Sequence, residues 1–176
     1  MGIAMQNKAV FLDRDGVINR ETGDFVYETD KFSFNPGIFD SLLRLQENGF
    51  MLIVITNQSG VSAGRYTHKH VGRIHAKMIE ELSSRGIFIS AVYYCPHHPS
   101  TGKCLCRKPK SLLVEKASAR FDIDPSRSFM IGDRERDTEA ASGAGVKGFL
   151  INSNAPIDWC VDIIVSEKAT DSKSPL

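Results

Sequence analysis

Short apolar runs alternate with amphipathic stretches along most of the chain. The runs that predict buried strands span residues 8–12, 51–55, 91–94, 128–131 and 146–151, with a sixth strand predicted at 162–165. Between them, apolar residues recur at helical spacing. Strands that alternate with helices in this way predict a Rossmann-like α/β fold, in which helices cover both faces of a mainly parallel sheet in three α/β/α layers.

The helices are predicted from their apolar stripes and their ends. Pro36 opens the first, Ile38, Leu42 and Leu45 form its stripe, and Gly49 ends it. Two shorter helices are predicted at residues 109–121 and 135–143. The longest is predicted from an N-cap at Thr67 to about residue 84. Its apolar stripe comprises Val71, Ile74, Met78, Ile79 and Leu82.

Three histidines fall within the longest predicted helix. We interpret His68, His70 and His75 as surface residues, because nothing typical of a metal site surrounds them. Later in the chain, Trp159 is predicted to be a packing anchor in a loop, and Cys160 to be a packing residue.

The length limits how many domains these elements can form. A chain of 176 residues, of which 41% are hydrophobic and 24% charged, is typical of a single globular domain. We therefore predict one domain over residues 1–176, with a core at about 8–166 and a polar tail at 167–176. This leaves no room for a large cap domain.

Charge and hydropathy narrow the range of partners. Lys plus Arg number 22 and Asp plus Glu 21, and the net charge of +1 gives no support for nucleic-acid binding or for a polybasic membrane protein. No apolar run is long enough to span a bilayer, and the first eight residues lack the apolar stretch of a signal peptide. We expect a cytoplasmic protein, with a monomer as the default.

Carboxylates follow the first and fourth predicted strands. Asp13 and Asp15 stand two residues apart, so that one can attack or bind a cation while the other transfers a proton, although such a pair alone is more often an Asp-rich turn. Asp133 lies beside Asp13 if the two strands are neighbours, and clustered carboxylates near a phosphate favour Mg²⁺. Asp137, one helical turn later, either braces Asp133, a loop or a basic residue, or serves the helix N-terminus.

Groups suited to phosphate follow the other strands. Thr56 and Asn57 offer a hydroxyl and backbone N–H groups, although turn residues that satisfy their own backbone look the same. Arg107 and Lys108 precede a predicted helix, where cations favour an anionic partner such as phosphate; the alternative is a solvated basic pair. All these groups follow strands, which is where parallel sheets bind ligands.

Three of the four cysteines fall within 12 residues. Cys95, Cys104 and Cys106, with a histidine from the same loop, form a Cys₃His set of the kind that holds structural zinc. In a reducing compartment, such a cluster is more often a metal site than a disulfide framework. His97 and His98 are both candidates for the fourth ligand.

Taken together and in this order, the four clusters resemble the haloacid dehalogenase (HAD) superfamily of aspartate-nucleophile phosphatases. The resemblance covers residues 8–151 and is carried by Phe-Leu-Asp-Arg-Asp-Gly at 11–16, Val-Ile-Thr-Asn at 54–57, Lys108, and Ile-Gly-Asp at 131–133 with Asp137. It implies an Asp13 nucleophile that forms an aspartyl phosphate and an Asp15 general acid and base. It also implies a Mg²⁺ ion held by Asp13, the Asp15 carbonyl oxygen and Asp133.

The loops resemble the small subgroup of that superfamily that hydrolyses heptose bisphosphates and histidinol phosphate and has loops in place of a large cap. The segments responsible are Thr-Asn-Gln-Ser-Gly at 56–60 and the Cys/His loop at 95–109. This resemblance selects His97 over His98, so the zinc ligands are expected to be Cys95, His97, Cys104 and Cys106. The residues expected to contact phosphate or substrate are Thr56, Asn57, Gln58, Ser59, Arg65, Arg107 and Lys108, with Arg134 and Asp137 in support.

The same segments favour one substrate without excluding others. Residues 56–60 and 63–67 are similar to the pattern for D-glycero-D-manno-heptose 1,7-bisphosphate, with removal of the 7-phosphate. The short interval between Cys95 and Cys104, and Arg134 after Asp133, are closer to the histidinol-phosphate type, which stays as the alternative. Two further alternatives remain. One is a zinc-stabilised binding module whose carboxylates are vestigial, and the other is a phosphotransferase.

Overall fold

The computed structural model of the chain describes residues 6–171, with side chains described as far as residue 167. The strands are β1 (Ala9–Leu12), β2 (Met51–Asn57), β3 (Ile89–Cys95), β4 (Phe129–Gly132) and β5 (Lys147–Leu150). The α-helices are α1 (Ile38–Glu47), α2 (His68–Ser83), α3 (Leu112–Arg120), α4 (Glu135–Gly143) and α5 (Asp158–Asp171). None of the described helices has the length and apolar character needed to cross a membrane.

The five strands form one parallel sheet in the order β3-β2-β1-β4-β5. Leu12, at the end of β1, pairs with Val54 of β2 on one side and with Ile131 of β4 on the other. The carboxyl ends of the three central strands therefore lie side by side. The predicted α/β fold with a parallel sheet is confirmed.

Alternate residues of the strands pack on opposite faces of the sheet, as the two-residue repeat of a strand requires. Val10 and Leu12 belong to a core cluster shared with α1, α2 and α5. Ala9 and Phe11 belong to a second cluster, shared with α3 and α4. Both faces are covered, which explains why the strand sequences are continuously apolar rather than alternating.

The end of the chain differs from the prediction. The sixth strand predicted at residues 162–165 is wrong, because these residues lie inside α5, and a four-residue apolar run alone cannot distinguish a strand from a buried helix. Trp159 lies in the same helix and not in a loop, and its ring packs edge-on against Phe149. Cys160 is buried in the core, as predicted. Helix α5 also continues to Asp171, into the segment predicted as a tail, and residues 172–176 lie outside the described part.

Three helices differ in detail from their predicted form. Pro36 lies before α1, whose N-cap is Gly37, and α3 begins only at Leu112. In α2, Ile79 is 40% exposed, whereas His75, predicted to lie on the surface, is buried. His75 lies one helical turn from both Val71 and Met78, so the geometry of the helix places its ring on the buried face.

Candidate active site

The parallel sheet brings Asp13, Thr56 and Asp133 to one edge. Asp13 directly follows β1, and its backbone N–H donates to the Ile131 carbonyl at 3.0 Å, which ties it to β4. Asp133 directly follows β4, and Thr56 lies near the end of β2. All three side chains are largely buried, and all three line one cavity.

Gly16 allows Asp133 to approach the turn that follows Asp13. Its φ angle of +85° is one that L side chains rarely adopt. A Cβ atom at this position would overlap the Asp133 Oδ2 atom and would lie 2.7 Å from the Ser153 Oγ atom. Glycine is therefore required here both by the backbone conformation and by the nearby carboxylate.

Lys108 is a buried cation at the base of the site. Its Nζ atom lies 3.0 Å from Asp13 Oδ1 and 2.7 Å from Asp137 Oδ1, and it donates to the Ile55 carbonyl at 2.6 Å. Asp137 also accepts a hydrogen bond from the Arg134 backbone N–H at 3.0 Å. Asp137 therefore fills two of the roles considered for it. It braces a basic residue, Lys108, and it is an acidic residue at the N-terminus of α4.

The Asp13 carboxylate has one engaged oxygen and one available oxygen. Oδ1 accepts from the Arg14 backbone N–H at 2.7 Å and pairs with Lys108, whereas Oδ2 makes no hydrogen bond within the described residues. Burial raises the pKa of Asp13 to about 7; the Lys108 ammonium opposes this shift, and the carboxylates of Asp137 and Asp15 add to it. A cation beside Asp13 would restore its charged form.

The chemistry of the donors suits a divalent cation between Asp13 and Asp133. Carboxylate oxygens of Asp13, Asp133 and Asp137 lie within 4.8 Å of one another. The Asp133 Oδ2 atom is buried and has no hydrogen-bond partner in the described chain, with only the Arg134 Nε atom nearby at 3.4 Å. Oxygen-rich sites of this kind hold Mg²⁺. Because Asp137 is already paired with Lys108, Asp13 and Asp133 are the side chains that fit the ion best.

The Asp15 carboxylate is surrounded by hydrogen-bond donors. Arg14 Nη2 donates to both of its oxygens at 2.8 Å, the Asn19 Nδ2 group donates at 3.0 Å, and the Gln58 Nε2 group donates at 2.9 Å. Burial alone would raise the pKa of Asp15, but the Arg14 guanidinium and these hydrogen bonds hold it below its ordinary value. The orientation of this carboxylate is thus fixed from three directions.

Residues at the end of β2 position other site residues. The Asn57 carboxamide donates to the Lys108 carbonyl and accepts from the Lys108 backbone N–H, both at 3.1 Å. Gln58 donates to the Thr56 hydroxyl at 3.0 Å and accepts from the Tyr66 hydroxyl at 2.8 Å. The Asn57 side chain therefore anchors the backbone of Lys108, and Gln58 links Asp15 to Tyr66.

A cavity of about 190 Å³ opens above these groups. The predicted residues that line it are Asp13, Asp15, Thr56, Asn57, Gln58, Ser59, Arg107 and Asp133. Further lining residues are Glu21, Asp24, Phe25, Val26, Tyr66 and Arg136. Arg65 and Arg134 are exposed and are not among the lining residues, and Lys108 is buried outside the lining.

Sequence reasoning missed four residues around the site. Arg14 and His75 are buried beneath Asp15, and Tyr66 and Arg136 line the cavity. The Arg136 Nε atom is buried and has no hydrogen-bond partner among the described residues. Burial of His75 was readable from its place on the apolar face of α2. The burial of Arg14 was not, because an arginine in a turn normally faces solvent.

The Cys/His loop brings four metal-binding atoms together. Those of Cys95, His97, Cys104 and Cys106 lie within 4.8 Å of one another, and the cysteines are free thiols. The Cys95 Sγ atom lies 3.7 Å from Cys104 Sγ and 3.1 Å from Cys106 Sγ. Two thiolates on one zinc ion are separated by about 3.8 Å, given Zn–S bonds of about 2.3 Å, so the first distance matches a zinc site and the second is shorter. His98 instead caps a 3₁₀ turn, its Nδ1 atom lying 2.7 Å from the Ser100 Oγ atom.

A buried carboxylate with an available oxygen, a carboxylate cluster that could hold a cation and a buried ammonium meet at the carboxyl edge of the parallel sheet, an arrangement that suits the HAD-like class of hydrolases. A sequence model of the family described as HAD-hydrolase-like matches residues 105–156. The sequence is 38% identical over 174 residues to the D-glycero-beta-D-manno-heptose-1,7-bisphosphate 7-phosphatase of Haemophilus influenzae. That alignment covers 90% of this chain and 94% of the relative.

Two further relatives, one compared by sequence and one by structure, point to the same family. The enzyme of the same name from Escherichia coli K12 is 38% identical over 156 residues, covering 85% of this chain and 81% of that protein. The D,D-heptose 1,7-bisphosphate phosphatase from B. bronchiseptica, solved with magnesium and phosphate, is 30% identical, with a TM-score of 0.78 and coverage of 96% and 88%. The chain belongs to this family of HAD phosphatases, which confirms the resemblance found in the sequence.

Proposed function

We propose that the protein removes the 7-phosphate of D-glycero-D-manno-heptose 1,7-bisphosphate by Mg²⁺-dependent hydrolysis through an aspartyl phosphate on Asp13. The observation that supports this most directly is the Asp13 carboxylate, whose Oδ1 is held by Lys108 while its Oδ2 makes no hydrogen bond within the described residues. Asp13 also lines the cavity. A fixed, buried carboxylate at the floor of a polar cavity is suited to in-line attack on phosphorus.

The reaction takes place in two displacements. An Asp13 oxygen attacks phosphorus as the bond to the leaving oxygen breaks, and Asp15 gives that oxygen a proton. A water molecule then attacks the aspartyl phosphate, Asp15 takes its proton, and inorganic phosphate leaves with Asp13 regenerated. The charge of the bound phosphoryl group favours the protonated form of Asp15 that the first step requires.

Magnesium fits the carboxylate cluster at the edge of the sheet. Asp13 and Asp133 would hold the ion through their side chains, with the main-chain carbonyl of Asp15 as a third ligand. When bound, Mg²⁺ supplies positive charge that offsets the repulsion between the nucleophile and the phosphate. Thr56 and the Asn57 backbone would bind the remaining phosphate oxygens, and this positioning supplies much of the catalysis. Lys108, whose ammonium lies 3.0 Å from Asp13 Oδ1 but outside the cavity lining, would add positive charge at the base of the phosphate site.

We also propose that the Cys/His cluster holds a structural zinc ion. Its loop is stabilised by few apolar contacts, and Leu105 within it is 70% exposed. Arg107, which follows the cluster directly, lines the cavity and donates to the His97 carbonyl at 3.2 Å. Zinc would therefore stabilise the loop that presents Arg107 to the substrate.

A bisphosphate substrate would have a second phosphate for the cavity to bind. Arg107 and Arg136 are the lining cations, and the buried Arg136 Nε atom lacks a partner in the described chain. Arginine binds phosphate bidentately, so these two side chains are suited to the phosphate that is not cleaved. Histidinol phosphate, the competing substrate, carries an ammonium group where the bisphosphate carries an anion.

Parallel phosphate-release kinetics on the two substrates test this assignment. We expect kcat/KM for the heptose bisphosphate to exceed that for histidinol phosphate by more than about 100-fold, close to 3 kcal/mol of discrimination. In Arg136→Ala, this ratio should fall by about tenfold, mainly through KM for the bisphosphate. A ratio in favour of histidinol phosphate would reverse the assignment, and no release from either substrate would overturn the proposed activity.

A further inference from the structure

Arg14, which separates Asp13 from Asp15 in sequence, is a charged side chain that the proposed reaction does not use. It is 1% exposed and does not line the cavity, so it is not placed to contact substrate. Its guanidinium reaches both oxygens of Asp15, with Nη2 at 2.8 Å from each and Nε at 3.2 Å from Oδ1, and Nη2 also donates to the Val26 carbonyl at 3.2 Å. The planar guanidinium therefore contacts both carboxylate oxygens of Asp15 without itself lining the cavity.

His75 of α2 in turn contacts the far side of the guanidinium. Its Nε2 atom lies 3.4 Å from Arg14 Nη1, and its ring packs edge-on against Tyr94 with centroids 5.6 Å apart. Burial, and then the charge of Arg14, lower the pKa of His75 to about 3, with the Asp15 carboxylate acting in the opposite sense. The ring is therefore neutral at ordinary pH and can accept a hydrogen bond from Arg14.

We propose that Arg14, seated by His75, is a positioning residue that fixes the Asp15 carboxylate for proton transfer to the leaving oxygen. The proposal rests on the phosphatase activity and on the role of Asp15 proposed above. Asn19 and Gln58 also donate to Asp15, but each reaches only one of its oxygens. Arg14 alone spans both, so it sets the plane of the carboxylate.

The position of Asp15 matters most when the leaving group needs a proton. The sugar alkoxide of the heptose bisphosphate must be protonated as it leaves, whereas the p-nitrophenolate of p-nitrophenyl phosphate leaves without protonation. A displaced Asp15 therefore slows phosphoryl transfer to Asp13 from the first substrate and not from the second. Hydrolysis of the aspartyl phosphate, in which Asp15 is the base, is common to both substrates, so the quantity to compare is kcat/KM, which reports the first transfer. Misplacement by about 1 Å costs on the order of 10²-fold in rate, within the range of a typical general acid.

Steady-state kinetics of Arg14→Met and Arg14→Lys on both substrates test the proposal. For Arg14→Met, kcat/KM for the heptose bisphosphate should fall by about 10²-fold and kcat/KM for p-nitrophenyl phosphate by less than about fivefold. Arg14→Lys should recover only part of the loss, because an ammonium cannot contact both oxygens in one plane. Equal losses on the two substrates, in variants that remain folded by circular dichroism, would overturn the proposal.

His75 provides a second test that leaves the Arg14–Asp15 pair in place. His75→Leu removes the acceptor, and we expect about a tenfold loss of kcat/KM confined to the heptose bisphosphate, whereas His75→Gln keeps an acceptor and should restore most of it. Ile74→Val, a change at the neighbouring buried position of α2, is the control for lost stability and should leave the substrate ratio unchanged.

The outcomes separate this proposal from the proposed function. If wild-type protein releases phosphate but His75→Leu and Ile74→Val shift the substrate ratio alike, Arg14 and His75 are structural and the proposal is wrong. If wild-type protein releases phosphate from neither substrate, the phosphatase assignment itself fails, and the positioning role fails with it. If the Arg14 variants do not fold, the comparison of His75→Leu with His75→Gln decides the question.

Discussion

The ion pair between Lys108 and Asp137 is the interaction whose loss we expect to cost the most stability. Both side chains are fully buried, and their charged atoms are 2.7 Å apart. Asp137→Asn keeps the size and shape of the side chain and its acceptor for the Arg134 backbone N–H, but removes the negative charge. Lys108 is then left as a buried cation with fewer compensating partners.

The magnitude of the loss follows from what Lys108 retains. Removing one partner of a buried ion pair typically lowers the free energy of unfolding by about 3–5 kcal/mol, because the remaining charge stays desolvated. Here the ammonium keeps Asp13 at 3.0 Å and the Ile55 carbonyl at 2.6 Å. We therefore expect the lower end, about 3 kcal/mol, or a fall in Tm of about 6–12 °C for a chain of this length.

Urea unfolding followed by circular dichroism measures this difference, and the chain offers a matched control. Arg44 and Asp162 form an ion pair with the same 2.7 Å separation, but their side chains are 45% and 64% exposed. Asp162→Asn makes the same chemical change in water, where such a pair contributes less than about 1 kcal/mol. The two variants differ mainly in the burial of the pair.

The reasoning is refuted if the two variants lose similar stability. A double-mutant cycle sharpens the test: Lys108→Met combined with Asp137→Asn should lose less than the sum of the single changes, because the two charges are removed together. Additive losses would show that the two groups do not interact, whatever their distance in the structure.

Three further predictions concern the effect of pH, the binding of magnesium and the binding of zinc. Because burial and Arg14 lower the pKa of His75 to about 3, the contribution of His75 to stability should be complete above pH ~6.5 and be lost as the pH drops towards 3. The raised pKa of Asp13 acts in the opposite sense over the same range, so the measured quantity is the difference between wild-type protein and His75→Gln in urea titrations at each pH, which should shrink as the pH falls. Gly16→Ala should raise the Mg²⁺ concentration needed for half-maximal activity by at least about tenfold, because the added Cβ atom would overlap the Asp133 carboxylate, which we propose holds the ion. An unchanged Mg²⁺ titration would count against the proposed ion site. Metal analysis should find about one zinc per chain, lost in Cys104→Ser and retained in Cys160→Ser, whereas zinc retained in both would exclude the Cys/His cluster as its site.

Residues whose chemistry follows a strand end could be placed from the sequence. Asp13 and Asp133 were expected to meet if their strands were neighbours, and β1 and β4 do pair. The Cys/His cluster could be predicted because three cysteines and two histidines fall within one loop, and the family resemblance then selected His97 over His98. Both inferences depend on short-range sequence patterns and on the general geometry of parallel sheets.

The parts that were missed depend on long-range packing. The contact of His75 with Arg14 joins residues 61 positions apart, and no local pattern shows that one packs beneath the other. The side chain of Asn57 binds the backbone of Lys108, a contact across 51 residues that no local pattern predicts. Helix α5 was mistaken for a strand because its apolar residues were assessed over four positions instead of over the whole helix.

Covalent capture of the phosphoryl group tests the central claim most directly. Wild-type protein is mixed with the heptose bisphosphate, quenched in acid within one turnover, digested and analysed by mass spectrometry, with Asp13→Asn as the control. We predict one phosphoryl group on the peptide that contains Asp13, none in the variant, and a loss of steady-state activity in the variant of at least about 10³-fold, or roughly 4 kcal/mol. Phosphate release by wild-type protein without a phosphorylated Asp13, or near-normal turnover by Asp13→Asn, would contradict the account.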